Sequence, residues 1–307
     1  METPIELREV SPEPMTLDDL NLIAKEKGVP NYMPHKRNPI LSKILYYLLK
    51  VQKYSAYTFS SFLGLHLTSV VIVPGLGVPM PLAQEIFEMS RAVYQSIPHF
   101  ENLIIIGSSI CHVCSGIGIR LIRSRLKEGE KHRSKLVYEP VIKNDERDDI
   151  GLGGITGLIG LGYRKSMISR LIPGLSPLSF SGYLLLPLIG YHFTKFRQIP
   201  SVIDGDSSLI NLDYITYYLN KSRLEKIGNV INYVALMGLV VIGSYHFVSG
   251  YLKLNHKYSL NYKKIGYTFI GGLSILGCIS LIRFKSLPLV EGFIGKSFTN
   301  YVNYLAV

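Results

Sequence analysis

Four histidines, His66, His112, His192 and His246, each sit inside a different long apolar stretch of the chain. An ionisable side chain within a membrane-length apolar run is costly and turns toward the bundle interior rather than toward lipid. Each histidine lies late in its stretch. The first and third stretches cross in one direction and the second and fourth in the other. His66 and His192 are therefore expected in one leaflet, and His112 and His246 in the other. Two imidazoles at one depth can clamp the iron of a b-type haem, so the pattern predicts four haem-ligand candidates in two stacked pairs. The alternative is that each imidazole hydrogen-bonds a Ser, a Thr or a carbonyl of a neighbouring helix.

Glycines lie close to these residues. Gly64 and Gly190 precede His66 and His192, and Gly116 and Gly250 follow His112 and His246. They let a flat ring or a second helix approach the backbone. His112-Val-Cys-Ser-Gly116 and His246-Phe-Val-Ser-Gly250 share a His-x-x-Ser-Gly pattern. We read two helix-hairpin halves in parallel relation about an axis near the membrane normal. No other metal site is expected. Asp204-Gly205-Asp206-Ser207 lacks the remaining ligands of a calcium loop and reads as a turn. Cys111 and Cys114 flank His112 in an order that does not match covalent haem attachment, and they read as small packing residues.

Five apolar stretches position these side chains: 54–73, 100–119, 175–194, 228–252 and 265–282. Runs of about 20 apolar residues cross a bilayer, so the expected fold is all-α and polytopic: a four-helix, histidine-bearing bundle over 54–252 plus a fifth transmembrane helix over 265–282. Charged residues make up only 18% of the chain, below the share in soluble domains. The glycine-rich segment Ile150–Gly162 is too short to span and reads as interfacial or re-entrant.

Residues 1–53 are polar and carry prolines at 4, 12, 14, 30, 34 and 39, which predicts an extended or disordered tail. A C-terminal tail is expected over 283–307. Lys and Arg number 24 over residues 1–53, 120–174 and 253–264, against 9 over 74–99, 195–227 and 283–307. That bias predicts a cytosolic N-terminus, a cytosolic loop over 120–174 and an opposite-face loop over 195–227. Arg120, Arg123 and Arg125 open a basic run just past the second stretch, either as a topology determinant or in contact with anionic lipid headgroups.

The net charge of +11 does not indicate nucleic acid, because no zinc-finger spacing, RNA-binding signature or continuous basic helix is present. No nucleophile–base pair, nucleotide cradle or H-E-x-x-H pattern is found, so the expected protein is not an enzyme. In the tail, Leu7-x-x-Val10-x-Pro12-x-Pro14 can lie extended in the groove of a partner protein.

Residues 54–284 resemble the transmembrane domain of the fungal mitochondrial outer-membrane adaptors of the MCP family. The likeness is carried by Gly162-Tyr-Arg-Lys-Ser166, Leu175-Ser-Pro-Leu-Ser-Phe-Ser-Gly-Tyr183, Asp204-Gly-Asp-Ser-Ser208 and Leu212-Asp-Tyr214. The four-histidine plan is also similar to the haem-bearing membrane anchor of succinate dehydrogenase and fumarate reductase. The first resemblance implies an adaptor of the mitochondrial outer membrane acting in lipid homeostasis. Such an adaptor recruits a bridge-like lipid-transfer protein of the vacuolar-protein-sorting-thirteen class through a Pro-x-Pro motif, here Pro12 and Pro14 with Leu7 and Val10 upstream. The bundle would be the anchor and a lipid acceptor. Two alternatives stand beside it: a diheme cytochrome b, and a lipid scramblase or transporter.

Overall fold

The computed structural model describes residues 39–134, 152, 175–257 and 259–304. Its elements are helices and turns, with no strand among the described residues. Four helical runs are long and apolar enough to cross a membrane: 39–75, 101–126, 225–254 and 260–286. Large apolar side chains cover their outer faces. Ile265, Phe269, Ile275, Ile279 and Ile282 all stay exposed along one such helix, a surface that requires lipid rather than water around it.

The first run is α1 (Pro39–Leu67), then a five-residue π-turn (Thr68–Ile72) and the short α2 (Val73–Gly75). The helix thus starts at Pro39 and not at the expected boundary near residue 54. Proline is well placed in a first helical turn, where its missing N–H costs nothing. The sequence that follows, ILSKILYYLL, is rich in good helix formers. Leu7, Val10, Pro12 and Pro14 lie outside the described residues. So does Ile150–Gly162, apart from Leu152.

After α3 (Met80–Gln95) comes a seven-residue π-turn (Glu101–Gly107) leading into α4 (Ser108–Ser134). Next is α5 (Pro177–Phe193), which carries His192. It is followed by a π-turn (Thr194–Gln198), α6 (Ile199–Asp204) and α7 (Leu212–Asn220). The chain closes with α8 (Glu225–Leu254), α9 (Leu260–Ser286) and α10 (Gly292–Asn303). α5 is not among the four membrane-length helices. It has 17 residues and is diluted by Pro177, Pro187 and two glycines.

Two compact units emerge from the packing. The smaller one holds the start of α1, up to Gln52, and α4 from His112 on. Small residues let these two segments touch. A Cβ on Gly118 would lie 3.2 Å from Leu48 Cδ1, and one on Gly116 would lie 3.2 Å from Gln52 Nε2. The remaining described residues form the larger unit. There α8 packs against α5 and α9, again through glycines. Gly277 receives Val240, and Gly266 receives Leu152 and Leu252. Close helix approach through small residues is how membrane bundles gain packing contact where burial from water drives little.

The larger unit also contains three amphipathic helices that we expected to be loops or tail. On α3 and α7, Ala83, Leu212, Ile215 and Leu219 form a core with Leu281 and Phe284 from the end of α9. On α7 and α10, Tyr214, Tyr217, Phe298 and Tyr301 form another around Ile199. Arg91 of α3 donates to the carbonyls of Ile210 (2.6 Å) and Ser208 (2.9 Å), and the Leu212 N–H donates to Gln84 Oε1 at 3.0 Å. The Asn211 side chain caps α7 by accepting from the Tyr214 N–H. These ties hold the chain beyond α1, the chain beyond α5 and the C-terminal helix together as one cap.

Candidate functional site

The histidine pattern turns out to be part of a larger repeat. Gly64-x-His66-x-Thr68-x5-Pro74 recurs as Gly190-x-His192-x-Thr194-x5-Pro200, every position shifted by 126 residues. The backbone repeats with it. In both copies an α-helix ends one residue after the histidine, a five-residue π-turn follows, and a short helix opens with proline in its first two positions. The first residue after each π-turn, Val73 or Ile199, donates its N–H five residues back, to Thr68 or Thr194. Each copy then reaches a glycine at positive φ, Gly77 or Gly205, and an amphipathic helix, α3 or α7. π-Turns within α-helices concentrate at functional sites because they shift the side chains that follow out of helical register.

The two copies bring His66 and His192 together. Their ring centroids are 5.9 Å apart, with planes inclined at 67°. Aromatic rings hold both imidazoles from behind. Phe62 stacks on His66 at 5.3 Å, and Phe196, one turn past His192, stacks on His192 at 4.6 Å. Phe196 itself packs edge-on against Tyr214 at 5.1 Å and lies 5.0 Å from Tyr218, which links the pair to the cap. His192 Nδ1 is buried and has no hydrogen-bond partner. At Gly64 and Gly190, two residues before each histidine, a Cβ would meet no atom within 4 Å.

The other two histidines are engaged locally. His246 Nδ1 lies 3.0 Å from Ser181 Oγ, and a Cβ on Gly182 would come within 3.0 Å of His246 Cε1. This contact fixes α5 against α8. His112 belongs to the smaller unit, where its Nδ1 lies 3.3 Å from the Gln52 carbonyl. Both of these hydrogen bonds run through Nδ1 and join neighbouring helices.

Charged groups gather just beyond His192. Arg197 forms a two-pronged ion pair with Glu101 and donates to Ser207. Lys195 is buried, its Nζ 3.3 Å from the Val302 carbonyl and 5.8 Å above the Tyr191 ring. Asp204, Gly205 and Asp206 form the expected turn, with the Ser208 N–H donating to Asp206 Oδ1 at 2.8 Å. That N–H and the Ser208 hydroxyl hold the Asp206 carboxyl below its ordinary range. Tyr301 donates to Asp204, so the turn is built into the cap.

Arg120, Arg123 and Arg125 continue α4 without a break; the first two are half-buried and the third is exposed. Cys111 and Cys114 are exposed on α4, so they are not the packing residues expected of them. Their one-turn separation leaves both on the outer face. No group of three or more His, Cys, Asp or Glu able to hold a metal ion is found among the described residues.

Fold and repeat define a multi-pass helical membrane protein in which a histidine-bearing element recurs. The model of the family described as "MDM10-complementing protein 1, transmembrane domain" matches residues 61–168 and 187–284, and the chain belongs to this family. Both matched stretches begin five residues before a histidine of the facing pair, at 61 before His66 and at 187 before His192. The mitochondrial adapter protein MCP1 of Saccharomyces cerevisiae is 28% identical over 294 residues, covering 91% of this chain and 90% of the yeast protein. No solved structure matches the chain. The similarity to the anchors of succinate dehydrogenase and fumarate reductase thus has no fold match behind it.

Proposed function

We propose that this protein is a mitochondrial outer-membrane adaptor, anchored by the helical body and recruiting a bridge-like lipid-transfer protein through its N-terminal tail. The observation that carries the reading is similarity along nine-tenths of the chain to a mitochondrial adapter protein. In this account the tail is cytosolic, and Leu7, Val10, Pro12 and Pro14 form the docking strand. Its partner belongs to the vacuolar-protein-sorting-thirteen class, and the helical body receives lipid from it.

The cap supports five crossings rather than four. α3 follows the first crossing, and α7 follows α5. The two are bonded to each other through Arg91, Gln84 and their shared core. α4 carries the chain away from the face that α3 occupies. Among the described residues, only a crossing by α5, extended by its π-turn and α6, brings α7 back there. α10 packs on α7 as well, so the C-terminus shares that face. The basic bias then leaves the N-terminal tail on the cytosolic side.

Replacing Pro12 and Pro14 together by Ala in the full chain tests the recruiting role. The partner is expected to leave mitochondria while the adaptor stays inserted at normal abundance. Undiminished recruitment by that variant contradicts the assignment.

A further inference from the structure

We propose that His66 and His192 are the axial ligands of one iron porphyrin, held between the two copies of the repeated element. The proposal rests on the geometry of this pair and not on the adaptor role.

Two imidazoles are too few for a structural zinc site, which takes four protein ligands. No third ligating side chain joins them among the described residues. A bis-imidazole haem needs two and no more from the protein, because the macrocycle fills the equatorial positions. Two metal–nitrogen bonds of about 2 Å, plus the half-widths of two rings, separate imidazole centroids by about 6 Å. His66 and His192 stand 5.9 Å apart.

Further features fit the same ligand. His192 Nδ1 is buried without a hydrogen-bond partner, so the ring carries a polar atom that no other described residue uses. Both histidines are backed by stacked aromatic rings, Phe62 and Phe196, and these restrict rotation of the imidazoles. The pseudo-symmetry matters as well. Each copy contributes one equivalent ligand from an equivalent position, as a centre with two equal axial ligands demands.

The proposal narrows the expectation of two haems to one. The facing pair is His66 and His192, whereas His112 and His246 fall in different compact units.

The test is the visible spectrum of the full chain, purified in detergent from cells supplied with a haem precursor, with haem and iron quantified per chain. The expected result is one haem per chain, with a Soret band and a reduced α band. Both bands should be lost in His66→Ala and in His192→Ala and kept in His112→Ala and His246→Ala. His66→Gly should regain the bands when imidazole is added, which separates lost ligation from lost folding. Absence of porphyrin absorbance, bands that survive His66→Ala and His192→Ala, or a bound metal without porphyrin would each overturn the proposal.

Discussion

The Ser280 hydroxyl on α9 donates a 2.9 Å hydrogen bond to the carbonyl of Val70, four residues before Pro74. In a regular helix that carbonyl would be served by the N–H of residue 74, and proline has none. The π-turn after His66 is thus completed from another helix. Ser280 is almost fully buried. Ser280→Ala should lower stability in detergent by about 1–2 kcal/mol, because it strands a carbonyl in an apolar setting. Pro74→Ala restores a local donor, so the Ser280→Ala penalty should shrink in that background. Chemical-denaturation curves for the four members of the cycle measure the coupling, and additive effects would refute it.

Gly277 is the tightest helix–helix approach between α8 and α9 that a side chain would block. A Cβ there would run into the β-branched Val240, which has no flexible end to yield. Gly277→Ala is expected to cost about 1–3 kcal/mol. Val240→Ala in the same chain should recover a large part of that loss. Thermal unfolding of the single and double variants reads both effects.

Two polar interactions should differ in weight although both look strong on paper. Asn232 is buried, accepting from the Tyr191 hydroxyl at 2.8 Å and donating to the Tyr218 carbonyl at 2.7 Å. Removing it in Asn232→Ala leaves both groups without that partner and should cost about 2–4 kcal/mol. Glu101 and Arg197 form a closer ion pair, yet each side chain is about one-third exposed. Solvent screening should hold the cost of Glu101→Gln below about 1 kcal/mol. Equal losses for the two variants would show that the Glu101 pair is far less solvated than its exposure implies.

The membrane body was legible because charge-free runs of bilayer length leave few alternatives to a crossing helix. The exception is the stretch at Leu175–Thr194. It is not among the four membrane-length helices, and the crossing proposed for it rests on the bonding of α7 to α3. Depth alone put His66 beside His192, but the same reasoning paired His112 with His246, which fall in different units. The full eleven-residue repeat around them was readable too, from a constant offset of 126 residues, but a search confined to the histidines and their nearest glycines passes over it. Two kinds of feature were hidden. The π-turns have no composition of their own; only the recurrence of Thr and Pro at fixed distance marks them. The helices α3, α7 and α10 are short, and their partners lie far away in sequence, as Tyr214 and Tyr301 do. No local pattern reports such pairing.

The most direct test of the account is which side of the membrane each end of the chain faces. In a chain with Cys111, Cys114 and Cys278 replaced by Ser, single cysteines are introduced by Thr3→Cys in the tail and Asn300→Cys on the exposed side of α10. Each is then reacted with a bulky, membrane-impermeant maleimide on intact mitochondria. The account predicts modification of the Thr3→Cys chain at once, and of the Asn300→Cys chain only after the outer membrane is ruptured. Labelling of both in intact organelles, or of Asn300→Cys alone, would contradict it.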